Sequence, residues 1–306
     1  MTRAIPVTLI SGYLGAGKTT LVNQMLRQAN GTRIAVLVNE FGELPIDEDL
    51  IEARDDDLIS IAGGCICCSF GSDLTAALQR MAEVSPPPDH IVIEASGVAL
   101  PGSIAQTVDL LSFLRLEGIC VLVDCLNVKK MLVDDYIGDT IERQLCDADL
   151  IILAKPDLIS PRALSELEDR LAGQWPSTPR VTAQHGQVPN AVLLGPHAPR
   201  GDRTVAPHAD ALYHSVVVQM DAACDAAALS RRLADPAFGL LRAKGYVRDH
   251  CGQMALIQLV GRRVDVTYPP DPGQPGVVCI GLKSRFDAAA SRRLITELGA
   301  VVPDPL

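Results

Sequence analysis

Short apolar runs recur along the first two thirds of the chain, and each is followed by a polar or glycine-rich stretch. Uninterrupted runs of this length are typical of strands in a parallel sheet that is covered on both faces. Between them, apolar residues spaced three or four positions apart predict helices, as at residues 21–26 and 71–83. The pattern predicts an α/β domain with a mostly parallel sheet and helices on both faces. The predicted strands are residues 5–10, 33–38, 58–61, 91–93, 119–124, 150–153 and 180–183.

The last third of the chain has a different pattern. Strands are expected near residues 212–220, 244–248, 254–260, 263–268 and 277–282, with helices near 225–234 and 286–299. This order predicts a smaller α+β domain. The stretch before it is rich in proline and turn residues. We interpret its histidines as exposed residues without a role, with assistance in metal capture as the alternative. We therefore expect a first domain at residues 1–184, a linker at 185–211 and a C-terminal domain at 212–306.

Composition narrows the possible functions. The 306 residues carry a net charge of −10 with a pI near 5.0, which argues against a nucleic-acid-binding surface. The sequence contains no apolar run of membrane-spanning length, and the N-terminus has no signal-peptide pattern. We expect a cytoplasmic protein whose nine cysteines, an odd number, do not form a disulfide framework.

The first predicted strand runs directly into a phosphate-binding loop. Residues 12–19 have the spacing Gly, four residues, Gly-Lys-Thr, between a strand and a helix. Glycines let backbone amides curl around a phosphate, Lys18 neutralises the outer phosphates, and the Thr19 hydroxyl can bind Mg²⁺. The residues that we expect to bind the nucleotide here are Gly12, Gly15, Ala16, Gly17, Lys18, Thr19 and Thr20.

Other strand ends carry residues suited to the same ligand, because ligands bind at the carboxyl edge of such a sheet. Glu40 and Glu43 follow the second strand. Glu94 and Gly97 end a later strand, where a carboxylate can face the Mg²⁺ region and a glycine amide the outer phosphate. Residues 47–57 contain seven acidic residues in eleven and predict an exposed, turn-rich connection.

Lys155 and Asp157 follow the strand at residues 150–153. A carboxylate in this place can accept two hydrogen bonds from the edge of guanine, which adenine does not offer. The alkyl stem of Lys155 can lie along the base or the ribose. The alternative is a simple Pro-Asp turn before the next helix.

Three cysteines, Cys65, Cys67 and Cys68, lie within four residues after Gly63 and Gly64. Thiolates so close together can converge on one borderline or soft cation such as Zn²⁺ or Co²⁺. No second Cys-x-x-Cys pair follows, so the spacing favours an open transfer site over a closed structural one. A redox pair and an inert buried cluster remain alternatives.

Taken in order, the motifs resemble those of the CobW-like GTPases, a family of proposed metallochaperones and metalloenzyme activators. They are Gly-Tyr-Leu-Gly-Ala-Gly-Lys-Thr-Thr, Asn-Glu-Phe-Gly-Glu, Gly-Gly-Cys-Ile-Cys-Cys, Glu-Ala-Ser-Gly and Lys-Pro-Asp. The resemblance covers the whole chain and implies a P-loop NTPase fold followed by a CobW-like C-terminal domain.

The resemblance also implies roles for individual residues. Lys18, Thr19 and Glu94 are the implied catalytic residues, Gly97 lies in the second phosphate-side motif, and Asp157 reads guanine. The implied metal ligands are Cys65, Cys67 and Cys68 with the switch residues Glu40 and Glu43, while Thr19 binds Mg²⁺. Two features depart from the family pattern: Ala154 stands where its base motif usually begins with Asn, and the long histidine-rich segment of many members is missing.

The leading hypothesis is a GTP-hydrolysing metallochaperone with slow turnover that uses GTP, Mg²⁺ and Zn²⁺ or Co²⁺ and delivers the metal to a client metalloprotein. In this hypothesis the γ-phosphate orders the switch residues, and hydrolysis releases the cation. The alternatives are an ATP-dependent small-molecule kinase or ligase and a thiol redox sensor. The sequence indicates neither the client nor the oligomeric state.

Overall fold

The computed structural model describes residues 4–38, 51–55, 58–61, 65–69, 74–195, 212–220 and 222–300. Within residues 51–69 the description is limited to the backbone. The chain divides into two compact units, residues 1–193 and 194–306. No helix in the described ranges is long and apolar enough to cross a membrane.

The first unit alternates strands and helices along most of its length. Its strands are β1 (Ile5–Ser11), β2 (Ile34–Val38), β3 (Ile51–Asp55), β4 (Leu58–Ile61), β5 (Cys65–Ser69), β6 (His90–Glu94), β7 (Leu114–Asp124), β8 (Leu150–Ala154) and β9 (Arg180–Ala183). Its helices are α1 (Lys18–Arg27), α2 (Leu74–Glu83), α3 (Pro101–Asp109), α4 (Val128–Met131), α5 (Gly138–Asp147), α6 (Pro161–Gln174) and α7 (Asn190–Leu193).

These strands form one sheet in the order β3-β4-β5-β2-β6-β1-β7-β8-β9. In this spatial order, the last seven strands, β5-β2-β6-β1-β7-β8-β9, are joined by parallel pairings. The remaining two, β3 and β4, add an antiparallel hairpin at one edge. The carboxyl ends of the parallel strands therefore share one edge of the sheet, where the sequence predicts the ligand.

Helices cover both faces of this sheet. Val7 and Leu9 of β1 belong to a core cluster that includes Leu78 of α2 and Leu145 of α5. The buried apolar side of α1, around Leu21, is not part of that cluster and packs on the opposite face. The predicted α/β fold class, with a mostly parallel sheet, is confirmed.

The second unit is built on a five-stranded antiparallel sheet in the order β10-β14-β11-β12-β13. Two helices pack on one face of it around a core that includes Leu229, Leu233, Leu294 and Ile295. The predicted α+β character of this part is therefore confirmed. The elements are β10 (Tyr213–Val218), α8 (Ala226–Leu233), β11 (Leu240–Arg248), β12 (Met254–Val260), β13 (Arg263–Thr267), β14 (Gly276–Leu282) and α9 (Ala288–Ala300).

One sequence interpretation is wrong. Residues 47–57 were expected to be turn-rich, but residues 51–55 form strand β3, which pairs with β4. Acidic residues are poor evidence against an edge strand, since charges are commonly found there and oppose edge-to-edge aggregation. Residues 39–50 lie outside the described part of the chain.

The start of the predicted linker also differs from the expectation. Residues 185–193 belong to the first unit and include helix α7, in which Val192 and Leu193 are fully buried. Val188, Val192 and Leu193 are buried, which the proline-rich composition of the segment concealed. Residues 196–211 lie outside the described ranges.

Candidate nucleotide-binding site

The loop between β1 and α1 has the backbone that its glycines predict. Gly12, Gly15 and Gly17 have φ angles of 134°, 73° and 99°. Gly17 is the N-cap of α1 in the left-handed conformation, and the helix begins at Lys18. The first amides of α1 therefore face the loop, and a helix N-terminus favours an anion.

Gly12 is fixed by its neighbour in the sheet as well as by its φ angle. A Cβ atom at Gly12 would lie 2.4 Å from the carbonyl oxygen of Leu122 on β7. At Gly15 and Gly17 a Cβ would meet nothing within 4 Å. The phosphate loop thus begins in direct contact with β7, and this contact leaves room only for glycine.

Lys18, Thr19 and Glu94 meet beside this loop. The Lys18 ammonium is almost buried and donates to the carbonyl oxygen of Gly12 at 3.0 Å, with that of Tyr13 at 3.4 Å. The Thr19 hydroxyl donates to Glu94 Oε1 at 2.8 Å. Glu94 ends β6, and its side chain is 2% exposed. The Thr19 hydroxyl and the Glu94 carboxylate, both predicted to lie near Mg²⁺, are therefore in contact.

The turn after Glu94 packs against the phosphate loop. A Cβ at Gly97 would lie 2.7 Å from the backbone nitrogen of Leu14, so this position also requires glycine. Gln144 of α5 stabilises this turn, since its side-chain amide donates to the carbonyl oxygens of Gly97 at 3.1 Å and Ala99 at 2.9 Å. Gln144 was not predicted from the sequence. Its signal was a polar residue between the apolar positions Ile141 and Leu145 of an amphipathic helix.

Replacing Gln144 by Leu should lower the free energy of unfolding by about 2 kcal/mol, because buried carbonyl oxygens then lose their donor. Urea denaturation of the full chain measures this change. Gln106→Leu, at an exposed position of α3, is the matched control and should change stability by less than about 0.5 kcal/mol. Equal stability of the two variants would contradict this role of Gln144.

Lys155 reaches from the end of β8 to the phosphate loop. Its ammonium donates to the carbonyl oxygen of Gly15 at 2.7 Å and to Asp124 Oδ2 at 2.8 Å. Asp157, the predicted guanine reader, is exposed in the short 3-10 turn Pro156–Leu158 that follows. Ala154 is the last residue of β8, and its carbonyl oxygen accepts from the amide of Cys125 at 3.0 Å.

Asp124, at the end of β7, is a second residue that sequence reasoning missed. Burial acts to raise the pKa of its carboxyl, but hydrogen bonds from Lys155, Asn127 and the Leu126 amide outweigh burial and lower the pKa below its ordinary value. The carboxylate therefore stays ionised near neutral pH. Its signal in the sequence is the one that marked Glu94, an acidic residue directly after a buried strand.

Residues 184–193 lie along α1. A Cβ at Gly186 would come within 3.0 Å of the backbone of Thr20 and Leu21 in its first turn. At the other end of the helix, the Asn190 side chain donates to the carbonyl oxygens of Met25 at 2.9 Å and Gln28 at 3.0 Å. This segment, predicted as linker, is part of the frame that holds the phosphate-loop helix.

The predicted metal ligands are described only in part. Cys65, Cys67 and Cys68 lie on β5, which pairs in parallel with β2 through Val36↔Cys67 and Leu37↔Cys68. The position of their sulfur atoms stays outside the described structure, and so do Glu40 and Glu43. In the rest of the chain, where side chains are described, no group of three or more His, Cys, Asp or Glu could hold a metal ion.

The described donors fit a magnesium-bound nucleoside triphosphate. A hydroxyl and a carboxylate are oxygen ligands of the kind that Mg²⁺ prefers. Lys18 and the glycine-rich backbone supply the positive charge and amides that phosphates need. The Ser11 hydroxyl, at the start of the loop, is buried and has no hydrogen-bond partner among the described residues, as expected where a polar ligand completes the site.

Comparison with known proteins identifies both halves of the chain. Residues 6–181 match the CobW/HypB/UreG nucleotide-binding domain, and residues 213–297 match the cobalamin synthesis protein CobW C-terminal domain. The chain is 32% identical to a zinc chaperone CobW of Sinorhizobium sp., over 96% of this chain and 97% of the relative. It is also 32% identical to the zinc chaperone YjiA of Escherichia coli, over 79% and 81% of the two chains.

A solved structure agrees with these matches. The Zn(II)-bound YjiA GTPase from E. coli superposes with a TM-score of 0.52 at 29% identity, over 97% of this chain and 99% of that one. The resemblance read from the motifs is therefore confirmed. On the strength of the two domain matches and the near-complete alignment with the Sinorhizobium relative, this chain belongs to the CobW family.

Proposed function

We propose that this protein hydrolyses GTP and uses the hydrolysis cycle to bind a zinc ion and deliver it to a client metalloprotein. The observation that carries the proposal is the meeting of Lys18, Thr19 and Glu94 at a glycine-rich loop. Relatives that align with most of this chain are named zinc chaperones, and the similar solved structure is of a zinc-bound GTPase.

Phosphoryl transfer depends on positioning and electrostatics, so the site needs few chemical groups. In the proposal, Lys18 leaves the carbonyl oxygens of Gly12 and Tyr13 and binds the outer phosphates. Thr19 and Glu94 would hold Mg²⁺, which neutralises charge on the phosphate oxygens when it is bound. Gly97, held by Gln144, presents its amide to the same phosphate.

Guanine is the proposed base because of Lys155 and Asp157. Asp157 is exposed two residues beyond Lys155, where its carboxylate is free to accept from a base edge. Ala154 offers no side-chain hydrogen bond, and we expect this to weaken guanine binding by about fivefold, the equivalent of ~1 kcal/mol, while the guanine preference is kept.

The register of the sheet supports a coupling between the nucleotide and the proposed metal motif. Val38 of β2 pairs with Glu94 of β6 on one side and with Ser69 of β5 on the other. The backbones of Ser69 and Glu94 thus lie two strand spacings apart, about 10 Å. Cys68 is the residue before Ser69, so a change in β2 or its following segment is able to act on both sites.

Zinc affinity tests the proposal. With a non-hydrolysable GTP analogue and Mg²⁺ bound, we expect Zn²⁺ to bind about tenfold or more tightly than with GDP, a typical allosteric coupling. Competition with a chromophoric chelator measures it. By linkage, saturating Zn²⁺ should tighten analogue binding by the same factor, which an independent nucleotide titration checks.

Cys67→Ser should remove the coupling, whereas Cys146→Ser, at an exposed cysteine on α5, should keep it. The same titration with Co²⁺ compares the second candidate metal, and zinc should bind more tightly. Equal zinc affinity in the two nucleotide states would contradict the chaperone cycle. Displacement of GTP by an equal concentration of ATP would instead favour an ATP-dependent kinase or ligase.

A further inference from the structure

We propose that Asp124 is a positioning residue of the nucleotide site: it holds the Lys155 ammonium against the phosphate loop and so fixes one wall of the base pocket. No family motif quoted above contains Asp124. The inference rests on the proposed guanine-nucleotide binding and adds a residue to that site.

The topology places Asp124 between the two parts that it joins. In the sheet, β7 lies between β1, which leads into the phosphate loop, and β8, which leads into Lys155. Asp124 pairs with Ala154 in the parallel register, at the carboxyl ends of both strands. On the other side, Leu122 of β7 touches the position of Gly12. A carboxylate at residue 124 is therefore beside the loop and beside Lys155 at once.

The carboxylate is the fixed partner of this contact. Its Oδ1 accepts from the Leu126 amide at 2.9 Å, and its Oδ2 accepts from the Asn127 side chain at 3.1 Å and from Lys155 at 2.8 Å. Asp124 is 7% exposed, while the Lys155 side chain is 37% exposed. Half-exposed lysines pay conformational entropy to stay in one place, so the buried and fully bonded Asp124 sets where the ammonium lies.

Lys155 has a backbone that is costly for its residue type. Its φ and ψ angles are 57° and 43°, in the left-handed region that residues other than glycine rarely adopt. Such strain persists only where surrounding contacts impose it. At Lys155, the hydrogen bonds of the ammonium to Gly15 and Asp124 hold the side chain over the phosphate loop and so favour this backbone conformation.

Ala154 makes the contact between Asp124 and Lys155 more important. The residue before Lys155 has no polar side chain, so its polar ties to the end of β7 are made by the backbone, through the pairing with Asp124 and the bond from the Cys125 amide to the Ala154 carbonyl oxygen. Side-chain anchoring of the base-binding segment to the phosphate loop is then supplied from β7 by Asp124. A charge-assisted bond of this kind is stronger than the neutral bond that an amide would make.

A double-mutant cycle on the full chain tests whether Asp124 acts through Lys155. The variants are Asp124→Asn, which keeps the shape and removes the charge, Lys155→Met, which keeps the alkyl stem and removes the ammonium, and the two combined. We expect each single variant to bind GDP about tenfold more weakly, as for the loss of a hydrogen bond to a charged group. The double variant should be no weaker than Lys155→Met alone, about tenfold, because Asp124 acts only through the ammonium that Lys155→Met already removes.

The matched control is Asp149→Asn. Asp149 is a buried carboxylate in the same sheet that accepts from the Ile119 amide at 3.0 Å, at the start of β8 and away from the nucleotide site. It should alter thermal stability and leave GDP affinity within twofold. If Asp124→Asn fails to fold, Asp124→Ser, which can still accept from the Leu126 amide, takes its place in the cycle.

The outcomes separate this inference from the proposed function. Additive losses, about a hundredfold in the double variant, or unchanged affinity in Asp124→Asn would overturn the positioning role while guanine binding by the unaltered protein stood. An unaltered protein that binds no guanine nucleotide would overturn both.

Discussion

Replacing Lys18 by Met should lower the rate of GTP hydrolysis by about 10²–10³-fold, the usual cost of removing one preorganised group that stabilises transition-state charge. Lys18 is 6% exposed, and its ammonium donates to the Gly12 carbonyl oxygen at 3.0 Å, inside the loop that we propose binds the phosphates. Methionine keeps the length of the stem and fills the same space, so the change isolates the charge. Single-turnover hydrolysis with bound GTP measures the chemical step.

Two further measurements make this expectation specific. Lys130→Met, at an exposed lysine on α4, is the matched control and should leave the rate unchanged. GDP affinity should fall less than the hydrolysis rate, since the γ-phosphate, where charge develops in the transition state, is absent from GDP. A Lys18→Met protein that hydrolyses GTP at the unaltered rate would show that the loop is not the catalytic site.

The parts of the fold that the sequence predicted are those set by local rules. A buried parallel strand needs an uninterrupted apolar run, and β2, β6 and β8 have one. The phosphate loop also follows from local rules, because glycine is needed where φ is positive, as at Gly15 and Gly17.

The features that the sequence analysis missed depend on contacts between distant residues. Gln144 is 47 positions from Gly97, and Lys155 is 31 positions from Asp124. No local spacing joins such pairs, and only the strand order brings them together. The hairpin edge strand β3 was missed for another reason: its charges are compatible with an exposed edge as well as with a turn.

The second large effect is expected at Gly12. Replacing it by Ala should lower the free energy of unfolding of the first unit by about 4 kcal/mol, the sum of backbone strain and overpacking. The added Cβ would lie 2.4 Å from the Leu122 carbonyl oxygen and 3.0 Å from its nitrogen, and φ at Gly12 is 134°. Both contacts are with backbone atoms of a central strand, so no side-chain rotation relieves them.

Calorimetry of the full chain checks this expectation. For a unit of this size, a loss of about 4 kcal/mol corresponds to a fall in Tm of roughly 12 °C. Gly15→Ala is the matched control: its φ angle is also positive, but a Cβ there meets nothing within 4 Å, so it should lose only about 1 kcal/mol. If Gly12→Ala and Gly15→Ala were equally stable, the positive φ angles alone would explain why both positions hold glycine. A difference of several kilocalories would instead show that the contact between the phosphate loop and β7, the strand that carries Asp124, requires glycine at residue 12.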